Sequence, residues 1–152
     1  MNPYYKSEDE IGSLVSAFES CNFHPSEFRH YQHLTVALWY VWLFSEGEAT
    51  EKITTGIRRL AEAYGKTGYH ETITLFWLRM VSSFAAPRRS KLSLLATANA
   101  LIRRLNDKDL IRQFYSAELL NSPEAKAGWL EPDLQPLPKI TVDESAGRAP
   151  AI

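Results

Sequence analysis

Leu34-Thr35-Val36-Ala37-Leu38-Trp39-Tyr40-Val41-Trp42-Leu43-Phe44 decides the fold. Every residue but Thr35 is apolar or aromatic, with no strand-like alternation, so a helix over this stretch is apolar on nearly every side. Such a helix belongs in the middle of a domain. The run is far shorter than the roughly 20 residues that cross a bilayer. With Ser26 as N-cap after the helix-breaking Pro25, the helix is predicted to run from about Glu27 to Phe44.

Working outward, Ser7-Glu8-Asp9-Glu10 is a capping box that starts an earlier helix, followed by Ile11, Leu14, Val15 and Phe18 at the spacing of one buried face. Downstream, Thr50 to Tyr64 is predicted as an outer helix with a narrow Ile53, Ile57, Leu60, Tyr64 stripe and Gly65 as its C-terminal stop. Tyr69 to Ala85 repeats the apolar density and is predicted to be the second central helix. A fifth helix runs from a Ser90 cap to Leu105, and a short piece covers Asp109 to Tyr115. Ser122-Pro123 and Glu131 to Pro138 read as extended chain, with Trp129, Leu130, Leu134 and Leu137 pinning it across the bundle. The prediction is an all-α, single-domain bundle of about five helices over residues 1–138, with a disordered tail at 139–152.

At 152 residues the chain is long enough for one core without staples. Its net charge of −1 gives no electrostatic case for nucleic acid or an anionic membrane. The single cysteine, Cys21, excludes an internal disulfide and is read as a buried small hydrophobe at a helix end. The first ten residues lack the basic start and apolar core of a secretory signal, so a cytoplasmic location is expected.

Polar residues interrupt the two central helices at their starts. His30 and His33 open the first, and Tyr69-His70-Glu71-Thr72-Ile73-Thr74 opens the second. Short loops predict antiparallel neighbours, which puts both N-termini at one end of the bundle. His30, His33 and His70 are then expected to line one cavity, with Glu71 beside it and Tyr69 and Thr74 as neighbouring ligand-binding residues. Helix N-termini attract anions and lower histidine pKa. Three neutral imidazoles allow acid–base catalysis, or a divalent metal with one open position. Against a metal, His-Glu-x-x-His is absent, and Glu27-x-x-His30 lacks the further carboxylates of a di-iron bundle. Glu71 sits about 100° around the helix from His70, so it is expected to orient a neighbouring histidine, His30 first, and to raise that partner's pKa. Each residue also has a purely structural reading as a cap or a backbone partner. His24, before Pro25, reads as a turn residue. Arg79, inside an apolar run, reads as half of a structural ion pair.

Phe28-Arg29-His30-Tyr31-Gln32-His33-Leu34 and Tyr69-His70-Glu71-Thr72-Ile73-Thr74 resemble the signature segments of a family of small bacterial helical proteins. Ser122-Pro123-Glu124-Ala125-Lys126-Ala127 and Glu131-Pro132-Asp133-Leu134 are similar to its C-terminal part. The resemblance singles out His30, His33, His70 and Glu71 together and implies no activity. Two functions therefore stand: a catalyst or metal-binding protein acting on a small molecule, and a non-catalytic module that binds a ligand or protein with its histidines structural. Trp39 and Trp42 offer a surface for a homodimer.

Overall fold

The computed structural model describes residues 4–22, 24–66 and 68–138; the tail expected at 139–152 lies outside them. Seven α-helices and two 3-10 segments follow one another among these residues: α1 Glu8–Glu19, a 3-10 turn Pro25–Glu27, α2 His30–Leu43, α3 Glu46–Ala63, α4 Glu71–Ala85, α5 Leu94–Leu105, a 3-10 segment Lys108–Gln113, α6 Ala117–Leu120 and α7 Pro123–Ala127. No strand occurs among the described residues. The protein is an all-α bundle, as the periodicity predicts.

Local chemistry sets most helix ends. The Ser7 hydroxyl accepts from the Glu10 amide, and Ser45 and Glu48 cap one another reciprocally, so α3 starts four residues earlier than its apolar stripe suggests. Gly65 closes α3 at φ 67°, a conformation that suits a residue without Cβ. Ser26 does not cap α2. The chain first makes a 3-10 turn in which His24 Nδ1 accepts from the Ser26 amide, and α2 begins only at His30, where Gln32 Oε1 accepts from the Arg29 amide. Ser93, not Ser90, caps α5. Ser122-Pro123 starts a helix instead of extended chain: Ser122 is the N-cap of α7 and Pro123 its first residue, where a missing N–H costs nothing. Cys21 is only partly buried and lies past α1 in the left-handed region, at φ 54°.

Helix α2 is the hub, packing against α1, α3, α4 and α5, most extensively against α4. Leu34, Val36, Ala37, Leu38 and Tyr40 of α2 meet Phe76, Trp77 and Val81 of α4 in one core. Gly56 lets α3 close on α1: a Cβ there would sit 2.3 Å from the Phe18 ring. The two central helices run the same way, but they are not level. His30 at the start of α2 meets Trp77, well inside α4, while Trp42 near the end of α2 lies beside Arg89, beyond α4. That stagger puts His70 seven residues, about 10 Å of helix rise, beyond the level of His30.

Candidate functional site

The start of α4 holds the C-terminal segment. His70 is the N-cap, and its Nδ1 accepts from the Ile73 amide at 3.1 Å. Its Nε2–H donates to the Leu120 carbonyl at 2.8 Å, so both ring nitrogens are engaged by main chain and the proton sits on Nε2. Thr72, fully buried, donates to the Gly128 carbonyl at 2.7 Å and accepts from the Leu130 amide at 3.2 Å. The Tyr115 hydroxyl adds a 2.6 Å bond to the Leu130 carbonyl, and burial of its ring pushes its pKa up. Ser116 and Asp133 pair twice, through the Ser116 amide and hydroxyl, which holds the Asp133 carboxyl below its usual range. Four separate side chains thus clasp residues 120–133.

Glu71 departs from its expected role. Its Oε1 accepts from the Tyr69 hydroxyl at 2.6 Å and from Arg58 at 3.2 Å, and the Arg58 guanidinium lies 4.5 Å from the Tyr69 ring centre. Burial, then the Glu71 carboxylate, pushes the Tyr69 pKa up to about 12. The Thr74 hydroxyl donates to the His70 carbonyl. The expected Glu71–His30 pair is absent because α3 supplies an arginine at that corner and the stagger of α2 carries His30 away from it.

His30 Nε2 meets the Leu105 carbonyl at the end of α5 at 3.2 Å, and its ring packs edge-on against Trp77 with centroids 4.4 Å apart. Burial lowers its pKa against the opposing pull of that carbonyl. His33, one turn on, packs edge-on against Phe28 and has no hydrogen bond to its ring among the described residues. Burial, then the neighbouring His30, pushes the His33 pKa down to about 4. His30 and His33 are therefore together, as are Tyr69, His70, Glu71 and Thr74. No hydrogen bond, ion pair or ring contact among the described residues joins the two groups. Among the described residues no group of three or more His, Cys, Asp or Glu could hold a metal ion. His70 is committed to backbone atoms at both ring nitrogens.

Concave surface lies elsewhere. A cleft of about 670 Å³ is lined by Arg79 and residues 131–138. The Arg79 guanidinium stacks 4.3 Å over the Trp129 ring and makes no hydrogen bond or ion pair among the described residues, where an ion pair was expected. Its carboxylate neighbours are engaged: Glu131 accepts from the Trp129 indole N–H at 2.8 Å, and Asp133 is held by Ser116. The sequence signal for this cleft was a cation inside the apolar run of α4, combined with a tryptophan in the clasped segment. A second cleft, of about 450 Å³, has the Tyr40 hydroxyl donating to Glu19 at 2.7 Å, with Lys52 and Arg59 beside it. Neither cleft is lined by a histidine. No helix of the described residues is long and apolar enough to cross a membrane. No family model, curated protein or solved structure matches the chain.

Proposed function

We propose that this chain is a non-catalytic helical binding module whose ligand is a small molecule bearing one carboxylate, held in the cleft between Arg79 and residues 131–138. The observation that carries this reading is Arg79 itself. Its guanidinium is stacked over Trp129, it lines the cleft, and it makes no hydrogen bond or ion pair among the described residues. A planar fork held in this way matches a carboxylate in two parallel hydrogen bonds. Leu134, Leu137 and three prolines give the apolar wall that a small ligand needs. Glu131 and Asp133, which also line the cleft, weigh against polyanions such as polyphosphates, because like charges repel.

His70 supports the non-catalytic half of the reading, since a ring bound to main chain at both nitrogens neither moves a proton nor meets a substrate. The competing reading, acid–base catalysis, rests on His33, whose ring has no hydrogen bond among the described residues. A base with a pKa near 4 is poorly matched to neutral pH. The lone thiol of Cys21 suits a reducing compartment, the cytoplasm, and membership in the bacterial family that the two histidine segments resemble belongs to the same proposal.

Benzoate titrated into 15N-labelled protein tests the site. The Trp129 indole N–H resonance should shift and saturate, Arg79→Gln should abolish the shift, and His70→Asn, which preserves a capping side chain, should leave it intact. An unmoved Trp129 signal, or an undiminished shift in Arg79→Gln, overturns the proposal.

A further inference from the structure

Helix α2 is buried on most sides, yet one stripe of it is not. Trp39, Trp42 and Leu43 stand at i, i+3 and i+4, within about 100° of arc. Both tryptophans are half-buried and Leu43 is 51% exposed. The stripe has unlike flanks. Trp39 lines a cleft of about 650 Å³ with Glu8 and Asp9 of α1, and its ring reaches within 3.7 Å of the place a Cβ would take on Gly12. Trp42 lies beside the corner between α4 and α5, with the Arg89 guanidinium 6.0 Å from its ring centre and Lys91 exposed nearby in sequence.

We infer that this stripe is an interface between two copies of the chain. The charge pattern chooses the occupant. A two-fold axis in the contact plane, midway between the flanks, lays the acidic flank of each copy on the basic flank of the other and stacks the two apolar stripes. Isologous contacts demand this self-complementarity. A generic acidic or basic partner would satisfy one flank and oppose the other. Tryptophan and arginine are also among the side chains that concentrate binding energy at interfaces.

Sedimentation equilibrium of the full chain at low and high salt tests the inference, with circular dichroism to show that each variant folds. The wild type should sediment as a dimer at micromolar concentration and weaken as salt rises. Leu43→Asp, at a site already half in solvent, should raise the dissociation constant about tenfold or more. Arg89→Glu and Asp9→Arg should each weaken self-association, because each places like charges across the axis. Mixed together, those two singly substituted chains should form a heterodimer, since both cross-axis pairs are then unlike. A wild-type monomer at every concentration, a dimer indifferent to Leu43→Asp, or a mixture no more associated than its components overturns the proposal.

Discussion

The ring of His70 bridges two main-chain atoms far apart in sequence: the Ile73 amide of its own helix and the carbonyl of Leu120, fifty residues beyond His70 in the C-terminal segment. One side chain therefore both starts α4 and anchors the clasp. Losing it has two separable costs.

His70→Ala should lower the unfolding free energy by about 2–3 kcal/mol, of which about 1 is the lost cap and the rest the stranded Leu120 carbonyl. His70→Asn restores a capping oxygen and should recover roughly the first part. Urea unfolding midpoints at unchanged slope measure both.

Thr72→Val keeps the shape of a fully buried side chain but strips the hydroxyl from the Gly128 carbonyl and the Leu130 amide. A loss of about 2–3 kcal/mol is expected, since unpaired buried main-chain groups bear the whole desolvation penalty. Hydrogen exchange should show the Leu130 amide losing protection while α1 amides keep theirs. Equal loosening everywhere would refute a local clasp.

Gly56→Ala should destabilise although alanine is the better helix former by about 1 kcal/mol. The new methyl would meet the Phe18 ring at 2.3 Å, and that ring is fully buried and stacked on Phe28. Overpacking of this kind costs about 1–3 kcal/mol beyond the propensity gain. A thermal midpoint equal to or above that of the wild type would contradict it.

Stability should fall as the solution is acidified from pH 6.5 towards 4. The folded state holds His33 near pKa 4 while the unfolded chain titrates near 6.5, so between these values the unfolded state binds more protons and acid favours it. The full contribution is present above pH 6.5 and lost by about pH 4, amounting to at most about 3 kcal/mol. His30, shifted the same way, adds to the slope in the same window. His33→Leu should flatten the dependence, as read by urea unfolding at a series of pH values.

Much of the fold was legible because its causes are local. The Ser7 box, the left-handed Gly65 stop and the all-apolar α2 depend on residues within a few positions of one another, and each reads out as periodicity or cap chemistry. Ser122-Pro123 misled because proline is equally at home in extended chain and at the first turn of a helix, and the choice turns on whether Ser122 caps the amides that follow.

The candidate site was legible only as a list of polar residues at the starts of two buried helices. By itself the sequence determined that His30, His33, His70, Glu71 and Arg79 interrupt apolar helices and need partners. Tertiary structure decided who those partners are. The two-turn stagger of α2 against α4 separates His30 from His70, the approach of α3 gives Glu71 to Arg58, and the returning C-terminal segment brings Leu120 to His70 and Trp129 to Arg79. Stagger comes from how side chains of different helices interlock, and the partners it selects lie 13 to 50 residues away, a separation that no local pattern encodes.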